Sequence, residues 1–393
     1  MLLRHPIPLL LTPLLWGIGS VSARYALTLP PTIPPGSTTA DFLTPSLDQS
    51  DLDSPKLSHV NASTFDLWHF DAVAIENPNA SVAITFSNAG PVGFPLRLDT
   101  PNLAPPGGGN GTGNEREGSH ALWAHIGITF PNGSVFTHIQ PVSHARVSGS
   151  GDSSIALWSG AGGWMGSEEG YEVEIEVGGR AEEPWDGVGT RINGHISIER
   201  ITSSHSVCST GQNFSQALGL GNEKNGVGWV GVLPDGIAAV DVTVNGERVV
   251  FDGYGGHDKL WSSRPFTSST KSLTRGRAHL GLYSLFWLSY TPSSSTSGSN
   301  QQGEIVSALL ARDGEMVSAG CEPGTVTIIP GREQTEGGLV SGFQVSIPGA
   351  QVSVATDVAV AHGNGHKRWN GRARGVVEGR DEEGVAVFER FEY

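Results

Sequence analysis

Near the middle of the chain, Gly256-His257-Asp258-Lys259-Leu260-Trp261 sets an imidazole, a carboxylate, an ammonium and an indole side by side. Tyr254 adds a phenol just before them. On an extended backbone successive side chains point to opposite faces, which puts His257, Lys259 and Trp261 on one face and Asp258 and Leu260 on the other. His257 or Asp258 can give or take a proton, Lys259 can polarise a carbonyl, and Trp261 can stack on an unsaturated ligand or steady a cation. The plainer alternative is an Asp–Lys pair capping a turn, with the indole in a core. Trp68-His69-Phe70-Asp71 repeats the theme of aromatics beside a carboxylate. In a dry cavity Asp71 would be kept protonated and available as an acid, whereas at a strand end it would simply accept a backbone hydrogen bond. Trp229 and the cluster Tyr283-x-x-Phe286-Trp287 would line a flat apolar pocket or fill a core.

Other constellations carry less. Glu172, Glu174 and Glu176 alternate with apolar residues and read as the wet face of a strand. His362 and His366 flank Gly-Asn-Gly and read as a solvated turn, so no metal site is expected. The chain has no Gly-x-Ser-x-Gly elbow, no His-Glu-x-x-His, no phosphate loop and no Cys-x-x-Cys. A site working without a cofactor is the enzyme reading that remains. A formal net charge of -15 argues against an electrostatic grip on nucleic acid or an anionic membrane surface. A neutral or apolar small molecule is the partner that charge leaves.

The elements that must position these groups are strands. In 393 residues the 54 glycines and 24 prolines supply many turns, and period-two patterning recurs with no long helical period. Strands are expected over 81–86, 124–130, 171–177, 192–201, 238–244 and 248–251, then over 283–289, 304–311, 324–329, 342–347 and 385–391. Asn245-Gly246 and Pro131-Asn132-Gly133 mark hairpins. An all-β meander of this length points to barrels or sandwiches that hide their edges. Residues 1–23 read as a secretory signal peptide and 24–62 as an extended leader, followed by a first β domain over 63–268 and a second over 269–393. Sequons at Asn61, Asn79, Asn110, Asn132 and Asn213 agree with glycosylation in a secretory lumen. There Cys208 and Cys321 would form a disulfide or stay as two buried thiols.

The order of the pieces carries a resemblance. Trp68-His69-Phe70-Asp71, His205-Ser-Val-Cys208, Gly228-Trp229 with Pro234-Asp235, and Phe251 with Gly253 come first. Gly256-His257-Asp258-Lys259-x-Trp261 with Pro265-Phe266, and Gly281-x-Tyr283-Ser284-x-Phe286-Trp287, come after them. With these the chain resembles the fungal lipocalin-like Diels-Alderases and quinolone epoxide-rearrangement proteins, and more distantly the carotenoid hydratases of the hydroxyneurosporene synthase type. The resemblance is strongest over 64–287.

It implies two consecutive calycin/lipocalin-like β domains, barrel or sandwich, with a ligand pocket between them. It also implies a cyclase or isomerase of fungal secondary metabolism that uses no cofactor and shapes an apolar polyene or epoxide intermediate. For a Diels-Alder-type cyclisation, Lys259 or His257 would hydrogen-bond an activating carbonyl while Trp68, Phe70, Trp229, Tyr254, Trp261, Tyr283 and Trp287 hold the substrate. For a cationic rearrangement Asp71 or Asp258 would be the proton donor. Holding a flexible substrate in a near-attack shape supplies ~7–11 kcal/mol in favourable cases. Leu260 stands where the resemblance implies Asn, and Arg277-Ala278-His279 replaces an aromatic-rich Trp-Gly-His-Ala-Arg stretch. The alternative function is a secreted lipocalin-like protein that binds an apolar small molecule without converting it.

Overall fold

The computed structural model describes residues 24–33, 37–39, 49–95, 120–179, 189–206, 219–220, 227–293, 304–322, 324–331, 342–362 and 365–393. Residues 1–23, Asn110, Cys208 and Asn213 lie outside this set, and with them the expected signal peptide, two sequons and the Cys208–Cys321 pairing. Two curled antiparallel sheets make up nearly all of the described chain, a lipocalin-like, all-β architecture.

The first sheet has 14 strands, twelve along its path and two short ones, His205–Ser206 and Gly219–Leu220, paired off it to Val227–Val244. Its path runs Tyr25–Leu29, Ala145–Ser150, Ser153–Trp158, Gly162–Gly166, Gly170–Val177, Ile192–Arg200, Val227–Val244, Glu247–Ser262, Phe65–Ala74, Ser81–Ala89, Leu122–Thr129 and Val135–Pro141. The second sheet, of nine, runs Glu315–Gly320, Ile305–Arg312, Tyr283–Pro292, Thr270–Leu280, Arg380–Glu392, His366–Val377, Ala350–His362, Gly342–Ile347 and Thr327–Pro330. The chain passes from one to the other through the short helix Phe266–Ser269, where Phe266 packs on Phe65, Phe94 and Phe391.

Asn245 and Gly246 both take positive φ, +48° and +86°, the requirement of a tight hairpin between right-twisted strands. This turn sets the register of the long pair Val227–Val244 and Glu247–Ser262. Glu247–Ser262 pairs in turn with Phe65–Ala74, so that Gly256 lies opposite Asp71, His257 opposite Phe70, Asp258 opposite His69 and Lys259 opposite Trp68. Two motifs almost 200 residues apart thus become neighbouring strands. Strict alternation then divides them between two environments. Trp68, Phe70, His257, Lys259 and Trp261 turn into the curl of the first sheet; Leu67, His69, Asp71, Asp258 and Leu260 turn toward the second.

Three expectations are corrected. The stretch 24–62 is not a leader without core contacts: Tyr25–Leu29 pairs with Ala145–Ser150, and the helix Gln49–Asp53 with the residues just after it buries Leu52, Asp53, Lys56, Leu57 and Val60. Thr270–Leu280, just past the expected domain boundary at 268, is a strand that the expected strands leave out. Its charged residues, Arg275, Arg277 and His279, hide it from a hydropathy reading, because they face the other sheet rather than solvent. His366 begins a strand and is buried, not solvated. Glu172, Glu174 and Glu176 do face solvent.

Candidate active site between the sheets

Alternation along five strands delivers a polar layer to the contact between the sheets. His69 and Asp71 come from Phe65–Ala74, Asp258 from Glu247–Ser262, Arg275 and Arg277 from Thr270–Leu280, His366 and Arg368 from His366–Val377, and Glu389 from Arg380–Glu392. All are buried. Three guanidiniums are threaded between three carboxylates. Arg275 binds Asp258 at 2.7 Å and Glu389 at 2.7 Å; Arg368 binds Asp71 at 2.9 Å and Glu389 at 3.0 Å; Arg277 binds Asp71. The charges balance, as burial of so many ions demands.

Gly256 makes one of these contacts possible. A Cβ there would lie 1.4 Å from Arg277 Nη1, so only glycine lets the guanidinium cross the strand to reach Asp71. Burial pushes the carboxyl of Asp71 up, but Arg277 and Arg368 outweigh it and hold the group well below the ordinary carboxylate range. Burial acts likewise on Glu389 and is outweighed by Arg275, with His69 and His366 adding to the effect. Asp71 is therefore an ionised partner of two arginines, and the protonated acid expected for it is not what the geometry offers. Asp258 has the same ion-paired setting on Arg275.

A cavity of about 30 Å³ opens beside this layer, lined by His69, Thr85, His125, Arg275, His366, Arg368 and Glu389, with Leu67, Phe94, Leu260 and Phe391 as apolar walls. A second, of about 20 Å³, shares Leu67, Thr85, Phe94 and His125 and runs on to Trp123 and Ile139. Each has room for about one water, so a larger ligand must move Phe94, which borders both. His69 is the best placed group for proton transfer. Its Nδ1 lies 2.8 Å from Thr85 Oγ1, and its Nε2 lies 3.3 Å from Asp71 Oδ2 and 3.7 Å from Glu389 Oε1. An imidazole backed by a carboxylate is an arrangement that can hold and release a proton. Burial, with His366 and His69 nearby, lowers His125 to about 3, and burial lowers His366 as well, so both rings are neutral near pH 7.

The residues singled out from sequence are thus dispersed. His257 and Lys259 lie inside the first sheet, where His257 bonds Asp53 and Lys259 pairs with Asp66 over the ring of Trp68. Burial pulls the Lys259 ammonium down, with Asp66 opposing. Trp68, Phe70 and Trp261 belong to that same interior. Tyr283 and Trp287 are in the core of the second sheet, with the Tyr283 hydroxyl on Glu378. Trp229 stacks on Phe286 at the junction, and Tyr254 stacks on His279 at 3.5 Å, beside Asp235. No single wall gathers the tryptophans 68, 229, 261 and 287.

His69, His125, Arg275, His366, Arg368 and Glu389 were not anticipated as a site. Their signal was period-two placement of polar residues within β patterns: His69 and Asp71, Arg275 and Arg277, His366 and Arg368 each sit two apart.

The fold and site define a two-sheet lipocalin-like β protein with a polar, charge-balanced layer buried between its sheets. The model of the Diels-Alderase-like family matches residues 113–326, more than half of the sequence, and the chain belongs to that family. It is 28% identical over 376 residues to the quinolone epoxide rearrangement protein penF of Penicillium thymicola, covering 88% of this chain and 90% of that one. It is 30% identical over 290 residues to the quinolone epoxide rearrangement protein asqO of Emericella nidulans, covering 73% and 69%. Similarity to the Diels-Alderase phmD of Phaeosphaeria nodorum is 25% over 245 residues, with 61% and 58% covered. Among solved structures, CghA aligns with a TM-score of 0.62 at 14% identity, over 93% of this chain and 98% of that one, a likeness of fold.

Proposed function

We propose that this protein is a cofactor-independent isomerase of fungal secondary metabolism, and that it opens and rearranges an epoxide at the contact between its two sheets. The observation that carries the reading is the His69–Asp71 pair, with His69 lining a buried cavity that the carboxylate of Glu389 also lines. His69 would donate its proton to the epoxide oxygen as the C–O bond breaks and the bonding electrons go to oxygen. The carbocation left behind is stabilised by the fixed negative charge of Asp71 and Glu389, which Arg275, Arg277 and Arg368 hold in place. Loss of a proton to His69, directly or after migration of a neighbouring group, then reprotonates the imidazole and completes the rearrangement. The relatives at 28% and 30% identity, penF and asqO, support rearrangement over cycloaddition. Incubation of the purified protein with a quinolone epoxide, followed by mass spectrometry with chromatographic separation, tests it: an isomer of unchanged mass is expected. Bound but unaltered epoxide would favour the carrier reading.

We also propose passage through the secretory pathway. The apolar start of the chain over 1–23 and the exposed sequon at Asn132, on the tip between Leu122–Thr129 and Val135–Pro141, support this. Among the described residues no helix is long and apolar enough to cross a membrane. Enzymatic deglycosylation of the natively secreted protein tests it, with a mass decrease expected and an Asn132→Gln variant losing part of that decrease.

A further inference from the structure

Inside the first sheet, away from the site between the sheets, three donors converge on one carboxylate. Asp53, fully buried, accepts from His257 Nε2 at 2.8 Å, from the Tyr171 hydroxyl at 2.6 Å and from the Ser154 hydroxyl. The His257 ring has a partner at each nitrogen, because its Nδ1 faces the His69 carbonyl at 3.0 Å. Three side chains converging on both oxygens of one buried carboxylate form a receptor selective for that group. Around it stands an aromatic box. Phe70 stacks on the His257 ring at 3.9 Å, and Trp68, Trp158, Trp164 and Phe86 close the sides.

The group that fills this receptor comes from outside the sheet. Asp53 ends a helix of five residues, Gln49–Asp53, too short to persist by its own helicity. The segment is held by Leu52 in the aromatic interior, by the Trp68 indole donating to the Asp53 carbonyl, and by Lys56, whose backbone N–H donates to Asp66. It behaves as a tethered ligand whose affinity rests on effective concentration. We propose that the curl of the first sheet is a second ligand chamber, a receptor for a carboxylate on a short branched apolar tail, which the chain occupies with its own Leu52 and Asp53. The proposal is independent of the reaction assigned above.

A Leu52→Ala, Asp53→Gly double variant of the full chain empties the receptor, and isovalerate is a probe of the required shape. Isovalerate should raise its melting temperature saturably, isovaleramide should not, and adding Tyr171→Phe should weaken the effect several-fold. Equal responses to acid and amide would overturn the proposal. Should the variant not fold unaided, refolding yield is read instead, and failure with both compounds overturns it equally. In the unaltered protein isovalerate, at matched ionic strength, should speed tryptic cutting after Lys56 relative to isovaleramide, because the segment is displaced. No difference there would also overturn the proposal.

Discussion

At the residue scale, the proton chemistry belongs to His69, with Asp71 behind it. His69→Gln should lower turnover of an epoxide substrate by about 10²–10⁴-fold, the usual worth of a positioned acid or base. Asp71→Asn should act differently. It leaves two guanidiniums without their shared partner, so it should cost ~3–5 kcal/mol of stability, seen as a lower denaturant midpoint at unchanged slope. An acid role for Asp71 would instead abolish turnover at nearly full stability. The aromatic-carboxylate motif at 68–71 was legible in the sequence, yet the role of its carboxylate was not. Arg368, which bonds Asp71, is 297 positions away, and nothing local signals it. Leu260 was legible as a departure; it proves to be a wall of the cavity, where an amide would have stood beside Arg275.

At the element scale, a two-residue period was enough to separate the faces of Glu247–Ser262 correctly, with His257, Lys259 and Trp261 opposed to Asp258 and Leu260. It could not say which face meets the packed interior of its own sheet and which meets another sheet. Thr270–Leu280 and His366–Val377 escaped recognition because their buried faces carry arginine and histidine, which a hydropathy pattern reads as solvent-facing. The geometry makes Gly256 and Arg277 a coupled pair across two elements. Gly256→Ala should destabilise by about 1–3 kcal/mol through overpacking. In a double-mutant cycle with Arg277→Ala the share owed to the guanidinium should vanish, leaving the contact with the Leu233 carbonyl at 2.6 Å; an additive result would show that the two positions do not meet.

At the scale of the whole molecule, composition and turn spacing made an all-β chain of two units legible, and the order of motifs made the family legible. The junction was hidden, because it is built from residues contributed by strands at both ends of the chain. Its titration should be visible in global stability. His125, lowered to about 3, and His205, lowered by burial to about 4, stay neutral in the fold while the unfolded chain protonates near the ordinary value of about 6.5. The unfolded state therefore binds more protons below that value. Their contribution is fully present above about pH 6.5 and is lost as pH falls toward 4 and 3. The depressed carboxyls of Asp71 and Glu389 contribute in a separate window, present above about pH 4 and lost below it. Urea midpoints should fall between about pH 6.5 and 5, before the carboxylates titrate.

The central claim is that conversion takes place between the sheets, on His69. The most direct measurement is single-turnover conversion of a quinolone epoxide by His69→Gln beside the unaltered protein, with folding of both verified by denaturant midpoint. The account predicts a rearranged isomer from the unaltered protein and a loss of at least about 100-fold in the variant at near-native stability. Full turnover by a well-folded His69→Gln protein would contradict it.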